Sequence, residues 1–395
     1  GPTENKVQSL AQLFADLNYE VVLEPLSTTG WSKRAQEAVA CKCPTPPQIL
    51  AAAGHHGQFK VIYVPLQAGQ RESARLRLTD ERAIAQQVLS ERAFPDSLLV
   101  FSDPKQQHWH FVNPRLVSET TRGKEGERRL RHILRRIAVG PEDKLRTAIE
   151  RFSHIRLSAL EADTLPAAQI HDRHNEAFNV ERVTVEFFQG FKKQFLALQK
   201  ELLDATDDLQ SAHDYALRLL SRIMFVYFIQ RKRWLGDDPD FMTHYWQAYL
   251  TQRGRKPTGF FSQWLEPLFF EAFASPAEAS LVNKRDYMPA DLRETLRNAP
   301  YLNGGLFSRD DLDLRHSGRV VIHDEFFEGL LDPADGFFER YNFTISEDSP
   351  LDQEVAVDPE MIGHVYESLV NISEPGSEAA EDRTRQREAG IFYTA

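Results

Sequence analysis

The chain has 395 residues, of which 42% are hydrophobic and 11% aromatic, and this supplies apolar surface for two or three domains with buried cores. No apolar run is long enough to cross a bilayer and no signal peptide is recognisable, so the sequence predicts a cytoplasmic protein without membrane contacts. A formal net charge of −11 would disfavour a nucleic-acid partner if the charge were evenly spread.

Charge is instead strongly segregated along the chain. Seven basic residues stand between residues 122 and 136, where the only acids are Glu125 and Glu127: Arg122, Lys124, Arg128, Arg129, Arg131, Arg135 and Arg136. Residues 324–360 show the opposite bias, with twelve acidic residues and the single arginine Arg340. The net charge therefore hides one strongly basic and one strongly acidic segment.

The first part of the chain alternates between predicted helices and strands. A helix is predicted over about residues 7–17, because its leucines recur at helical spacing. A strand at Val21–Leu23, a buried strand in FKVIYVPL, a helix capped by Thr79 or Asp80, and strands in SLLVFSD and HWHFVN follow. These elements predict a small α/β domain over residues 3–118.

Helices dominate the predictions beyond that domain. Residues 119–280 are predicted to form a helical domain with a basic face, in which one helix starts near Gly140-Pro141. Three more helices are predicted in VERVTVEFFQGFKKQFLALQKELL, SAHDYALRLLSRIMFVYFIQRKRWL and GFFSQWLEPLFFEAFAS. Residues 281–395 are predicted to be a less regular connector, with a strand-like GRVVIHDEFF and a last helix opening at Asp358 and Pro359. The predicted fold class is α+β and mainly helical.

The chain carries no recognisable catalytic motif or metal-binding motif. It lacks G-x-S-x-G, a P-loop and G-x-G-x-x-G, so no catalytic residue is predicted. The nearest approaches to a metal-ligand set are Cys41 and Cys43 with His55 and His56, and the pair His108 and His110. Two thiols fall short of a four-thiolate zinc site, and no third ligand for the histidine pair can be identified from spacing. Ordinary hydrogen-bonding side chains are the simpler interpretation, and no metal site is predicted.

The order of elements in the first domain is similar to that of PD-(D/E)xK nucleases, in which acidic residues and a lysine hold a divalent ion. The nearest match to the acid-x-Lys motif is Gln58-Phe59-Lys60. Because a glutamine cannot supply the negative charge that magnesium prefers, the sequence predicts a degenerate nuclease-like domain. An active metal-dependent nuclease is the alternative.

Two basic segments are candidates for DNA binding. The segment 122–136 could be a solvated helix face or a surface that contacts phosphates, and its strong single sign favours the second interpretation. Arg231, Lys232 and Arg233 close a predicted helix, where they could either contact DNA or stabilise the negative end of the helix dipole.

Six phrases in the later part of the chain resemble one protein family: FNVERVTVEFFQGFKKQF, RLLSRIMFVYFIQRKRWLGDD, PYLNGGLF, YNFTI, DPEMIGHVYESLV and GIFYT. They resemble, in the same order, the region that precedes the catalytic domain of adenine-specific DNA methyltransferases. The similar enzymes are of the type IIG restriction-modification kind or of DISARM and BREX phage-defence systems. The resemblance covers about residues 178–394.

This resemblance implies that a Rossmann-like methyltransferase domain follows the chain. Phe392, Tyr393 and Thr394 would then contribute to the pocket for S-adenosylmethionine, whereas the chain alone is expected to bind no cofactor. Ala395 stands where the family pattern has proline. Double-stranded DNA is the expected partner, with other subunits of a defence system as further partners. A third interpretation is a non-enzymatic adaptor that docks through the acidic residues 324–360.

Overall fold

The computed structural model describes most of the chain, namely residues 6–67, 76–90, 94–120, 128–206, 208–274, 276–302, 305–345 and 352–370. Contacts divide the chain into two compact units. The first comprises Gly1–Val183 with Arg340–Asn342 and Ser346–Ala356, and the second comprises Thr184–Glu339, Phe343–Ile345 and Val357–Ala395. The fold is mixed α/β with more helix than strand, in agreement with the predicted class.

The first unit is built on one seven-stranded sheet. Its strands are β1 (Glu20–Pro25), β2 (Gln48–Ala53), β3 (Phe59–Pro65), β4 (Ser97–Ser102), β5 (Trp109–Thr120), β6 (Arg128–Val139) and β7 (Asp352–Glu354). The strands lie in the sheet in the same order as in the chain. β3 and β4 are parallel, as are β6 and β7, and the other neighbours are antiparallel.

Helices cover both faces of this sheet. One face packs against α1 (Lys6–Asp16), α4 (Leu145–His154) and α6 (Ala167–Ala177), and the other packs against α2 (Lys33–Lys42) and α3 (Leu78–Ser90). The short α5 (Ala159–Thr164) lies between α4 and α6 in the chain. Every residue of β4 is buried, because this central strand is covered on both faces.

Most predicted elements of this unit are confirmed, including α1, β1, β3, α3, β4 and β5. The predicted caps of α3 are wrong, since the helix begins at Leu78 and places Thr79 and Asp80 inside its first turn. The helix predicted to start near Gly140 begins instead at Leu145.

The basic segment requires the main correction, because its described part forms strand β6 and does not belong to a helical region. β6 pairs with β5 along its whole length, so the sheet continues across the predicted boundary after residue 118. Leu134 and Ile137 are both buried, on opposite faces of the sheet, as the alternation of a strand requires. The interpretation of this segment as a solvated helix face is therefore wrong.

The second unit is mainly helical in its described parts. From Thr184 onwards it contains α7 (Val180–Thr206), α8 (Leu209–Arg231), α9 (Phe241–Leu250), α10 (Pro276–Ala279), α11 (Ala290–Arg297), α12 (Asp311–Arg315), α13 (Asp324–Leu331) and α14 (Glu360–Val370). Two π-helical turns, Phe261–Leu265 and Leu268–Ala272, lie between α9 and α10. Helix α8 is buried along most of its length, as its apolar composition predicted.

The helices α7 and α8 and the last helix are confirmed. α14 begins at Glu360, and the Asp358 carboxylate accepts a hydrogen bond from the backbone N–H of Met361 at 3.1 Å, which is the predicted capping contact. The strand-like interpretation of GRVVIHDEFF is wrong, since its last residues form the start of α13. Val320 and Ile322 are buried there without strand pairing in the described residues.

Candidate nucleic-acid interface

The hairpin of β5 and β6 extends beyond the rest of the sheet. β4 pairs with β5 no further than Val112, and β7 pairs with β6 from Leu134 to Arg136. In the described part of the sheet, residues 115–120 and 128–133 therefore pair with each other alone. We call this two-stranded segment the ribbon.

Arginines lie on both faces of the ribbon, since Arg128 pairs with Thr120 and so shares a face with Leu116. Arg131 lies opposite Val117, two positions along β5 from Arg115, so both arginines share a face although they come from different strands. Leu116 and Leu130 share the other face and are 54% and 63% exposed.

The predicted DNA-binding residues of the basic segment differ in position. Arg122 and Lys124 lie outside the described residues. Arg128 and Arg129 are the first two residues of β6, at the outer end of the ribbon, and their side chains also lie outside the description. Arg131 is on the ribbon with intermediate exposure. DNA binding by these residues stays a prediction.

Arg135 lies at the base of the ribbon and is 3% exposed. Its Nη2 donates to both carboxylate oxygens of Glu181 in α7, at 2.9 and 3.2 Å, and its Nε donates to Oε1 of Gln353 in β7 at 2.9 Å. Burial lowers the pKa of Arg135, while the charge of Glu181 opposes that shift. The side chain thus ties β6 to α7 and β7.

Arg136 points to the opposite face and is 2% exposed. Its Nε lies 3.5 Å from Oε2 of Glu81, a fully buried residue of α3 that also pairs with Nδ1 of His110. Burial disfavours the charged form of His110, but the adjacent Glu81 carboxylate outweighs it, and the pKa of His110 is raised. This buried cluster fixes β5 and β6 to the helix layer.

Sequence reasoning grouped Arg135 and Arg136 with the phosphate contacts, but in the structure each guanidinium group has a carboxylate partner. A phosphate could reach them only by displacing Glu181 or Glu81. Arg115, which stands before the basic run, was missed because the sequence signal was the density of basic residues. The pairing of strands brings it onto the same face as Arg131.

The second basic segment lies where α8 ends. Arg231 is its last residue, and Arg233 has a positive φ of 60° and donates to the backbone oxygen of Asp237 at 3.0 Å. Nζ of the exposed Lys232 lies 5.1 Å from the ring centre of Trp234, which is 49% exposed. These contacts order the turn after α8, and DNA binding by Arg231, Lys232 and Arg233 stays a prediction.

The cysteines and histidines considered as metal ligands lie in environments that differ from one another. Cys41 is exposed and Cys43 is buried, and burial raises the pKa of the Cys43 thiol to about 12. Nδ1 of His108 lies 4.0 Å from the Asp103 carboxylate, while His110 belongs to the Glu81 cluster. Within the described ranges, histidine, cysteine and acidic residues form no group of three or more that could hold a metal ion.

The hairpin of β2 and β3 carries the nuclease-like motif. Lys60 is the second residue of β3 and pairs with Ala52, and Gln58 immediately precedes the strand. The two strands, QILAAA and FKVIYVP, contain no acidic residue. They therefore offer no carboxylate to a divalent ion.

Leu306, in the phrase PYLNGGLF, is bound by the arginine of a buried ion pair that sequence reasoning did not identify. Arg222 of α8 donates to both carboxylate oxygens of Asp313 at 2.9 and 2.7 Å, and its Nε donates to the backbone oxygen of Leu306 at 2.6 Å. The sequence signal was a charged residue, Arg222, next to the apolar run Ile223–Ile229 of α8. Phe392, Tyr393 and Thr394 lie outside the described residues, and their cofactor role stays a prediction.

The chain is 29% identical over 182 residues to a candidate type II restriction enzyme and methyltransferase of Methanocaldococcus jannaschii. The match covers 46% of this chain and 13% of that protein, so the chain corresponds to a small part of its relative. No family model matches the chain, and no solved structure matches it.

None of the helices in the described part of the chain combines the length and apolar character needed to cross a bilayer.

Proposed function

We propose that this chain is the DNA-contacting N-terminal part of a restriction-modification or phage-defence protein that methylates N6 of adenine. The observation that carries the proposal is the basic hairpin β5–β6, which extends beyond the sheet in a chain similar to a restriction-modification protein. A protruding basic element attracts duplex DNA, because each phosphate contact releases condensed counterions. The type IIG, DISARM and BREX assignments are finer parts of the same proposal.

The methyltransferase part of the proposal is supported by the six sequence phrases that resemble adenine-specific DNA methyltransferases in the same order. It is also supported by the similarity to the Methanocaldococcus jannaschii protein, which is described as a restriction enzyme and methyltransferase. S-adenosylmethionine would supply the methyl group, and Phe392, Tyr393 and Thr394 would line its pocket. The target adenine must leave the duplex before its amine can react, so the remaining chain has to hold the DNA backbone during that step. We assign this holding role to the ribbon.

The first unit also supports a nuclease-like ancestry. A helix, three antiparallel strands, a helix and a fourth strand parallel to the third follow one another as α1, β1, β2, β3, α3 and β4, with the additional α2 between β1 and β2. This order is consistent with the PD-(D/E)xK arrangement. Because β2 and β3 carry no acid, we propose that the domain supports DNA binding and does not cleave DNA.

The adaptor hypothesis receives less support from the acidic residues 324–360, because several of them bind within the second unit. Asp324 accepts hydrogen bonds from the Tyr249 hydroxyl and the backbone N–H of Phe260. Glu339 accepts from the Tyr227 hydroxyl at 2.7 Å. These carboxylates stabilise the fold of the unit and are not exposed for a partner.

The DNA-binding proposal is tested by measuring duplex affinity against salt concentration with fluorescence anisotropy. Replacing Arg128, Arg129 and Arg131 by glutamine should weaken binding and reduce the slope of log affinity against log salt by roughly 2 to 3. Arg34→Gln, at an exposed arginine of α2, is the matched control and should leave the slope unchanged. Equal affinities and slopes in all three proteins would contradict the proposal.

The methyltransferase proposal needs the natural protein that contains this chain. Incubation with duplex DNA and radiolabelled S-adenosylmethionine should label N6 of adenine, as read by nucleoside chromatography. Label on cytosine, or none on DNA that the protein binds, would refute adenine methylation while leaving the DNA-binding proposal intact.

A further inference from the structure

We propose that residues 251–258, which we call the basic loop, form a contact for the DNA backbone in which Arg253 and Lys256 bind phosphates. The basic loop lies between α9 and the first π-helical turn, and the structure describes all of it. The inference rests on the proposed DNA-binding function and adds a contact within the second unit.

The basic loop carries a concentrated positive charge. Three of the four residues 253–256 are basic, in the order Arg-Gly-Arg-Lys, and residues 241–265 contain no aspartate or glutamate. Sequence reasoning missed this group because three cations are a weaker signal than the seven of residues 122–136. Residues 253–257 are all exposed. Such a group attracts DNA, because each phosphate contact releases condensed counterions.

The three cations differ in what they contact. Nη1 of Arg255 lies 3.5 Å from Oδ2 of Asp324, and its guanidinium carbon lies 5.5 Å from the ring centre of Tyr249. Arg255 is therefore engaged within the protein. Arg253 and Lys256 form no ion pair with any residue in the part of the chain that the structure describes. Their charges are available to an anionic partner.

Hydrogen bonds fix the backbone of the basic loop. The backbone N–H of Gly259 donates to the backbone oxygen of Lys256 at 3.1 Å, and that of Asp324 donates to the backbone oxygen of Pro257 at 2.7 Å. Gly254 has a positive φ of 69°, which lets the chain turn between the two arginines. A loop held in this way loses little conformational entropy on binding, and this favours affinity.

The composition of the basic loop favours a phosphate backbone over a protein partner. Pro257 has the only apolar side chain among residues 251–258. The core of a protein–protein interface is enriched in aromatic residues and depleted of lysine. Phosphate contacts need only cations and polar groups, and they carry no sequence information. We therefore expect a contact that does not depend on the DNA sequence.

One exposed acid lies next to the residue that holds the basic loop. Glu325 follows Asp324, whose backbone N–H reaches Pro257, and Glu325 is itself exposed. Its charge weakens the positive field of the basic loop, because exposed charges act over a Debye length of about 8 Å at physiological ionic strength. Removal of this charge should therefore strengthen a phosphate contact.

The contact is tested by fluorescence anisotropy against salt concentration, with two duplexes of unrelated sequence. The double variant Arg253→Gln and Lys256→Gln should bind both duplexes roughly tenfold more weakly at about 0.1 M salt and reduce the slope of log affinity against log salt by about 2. The matched control, Lys284→Gln with Arg297→Gln, removes the same charge from exposed positions of the second unit and should keep the wild-type slope. Glu325→Gln should bind more tightly than the wild type. Unchanged thermal melting temperatures show that the variants are folded.

Lysine acetylation gives a direct readout on the wild-type chain. The protein is treated with acetic anhydride in the presence and absence of a saturating duplex, and its peptides are analysed by mass spectrometry. The duplex should protect Lys256 and leave the exposed Lys284 unprotected.

The outcomes separate this inference from the proposed function. A loop variant that binds both duplexes like its control, or acetylation of Lys256 that DNA does not change, would overturn the phosphate contact while DNA binding itself stands. Equal losses in the loop variant and the control would overturn it as well, because they would show a dependence on total charge alone. A loss confined to one duplex would contradict a contact that is independent of sequence. The absence of wild-type binding to either duplex would refute the proposed function itself.

Discussion

Arg135 and Arg136 are consecutive residues of β6, and their guanidinium groups pair with carboxylates on opposite faces of the sheet. Alternation along a strand makes this geometry unavoidable once both side chains are buried. Each arginine therefore needs its own acidic partner, and α7 and α3 supply Glu181 and Glu81. The pair joins the strand to α7 on one side of the sheet and to α3 on the other.

Removing one partner of the buried Arg136–Glu81 pair should destabilise the first unit strongly. We expect Arg136→Gln to lower the free energy of unfolding by about 3–5 kcal/mol, because Glu81 would lose a charge partner inside the protein. Urea denaturation followed by circular dichroism measures this. A loss below about 1 kcal/mol, the range of surface pairs, would show that water reaches Glu81 in solution.

The His110–Glu81 pair should make stability depend on pH above neutrality. The pKa of His110 is raised in the folded state, so its contribution is complete below the unfolded value of about 6.5 and is lost as pH rises through the folded pKa. The wild type should therefore lose more stability than His110→Gln when the pH rises above 6.5. Denaturation curves at several pH values compare the two proteins, and parallel profiles would contradict the expectation. Arg136 and Glu354 also act on the His110 charge, in opposite directions.

His174 should produce the opposite dependence on the acid side. Burial, assisted by His171, lowers the pKa of His174 to about 3. The hydroxyl of Tyr19 donates to the backbone oxygen of Ile155 and lies 2.9 Å from Nε2 of His174, while Nδ1 of His174 is buried without a hydrogen-bond partner. A second proton on this ring is therefore unfavourable in the folded state.

Because the folded pKa of His174 lies below the unfolded value, the unfolded chain binds its proton first as the pH falls. Stability should decrease from about pH 6.5 towards pH 3, with a slope of up to about 1.4 kcal/mol per pH unit from this residue. His174→Gln should reduce the slope, as measured by urea denaturation in that range. An unchanged slope would show that the pKa of His174 is the same in the folded and the unfolded chain.

Two glycines in helices should respond to alanine with opposite signs. A Cβ atom on Gly190 of α7 would lie 2.5 Å from the ring of Phe337, whereas one on Gly329 of α13 would meet nothing within 4 Å. Gly190→Ala should cost about 1–3 kcal/mol through overpacking, although alanine favours the helix. Gly329→Ala should stabilise the protein by up to about 1 kcal/mol. Thermal unfolding of both variants measures the difference, and stabilisation by both would show that Phe337 can move aside.

Much of the fold follows from local patterns in the sequence. The helices α7 and α8 are long and keep apolar residues at helical spacing, so they were predictable without tertiary information. The buried runs of β3 and β4 were equally clear, since continuous β-branched and aromatic residues favour a covered strand. The capping contact of Asp358 depends only on neighbouring residues and was also predictable.

The sequence by itself determined these elements and the presence of a concentrated basic segment, but it did not determine the form of that segment. Leu130, Ile133, Leu134 and Ile137 fit the spacing of a helix and do not show the alternation of a half-buried strand. Pairing with β5 decides for the strand, and Glu81 and Glu181, both distant in sequence, decide which arginines are buried. The tertiary structure therefore decides that Arg135 and Arg136 hold the base of the ribbon, because burial and partnership depend on which residues folding brings together.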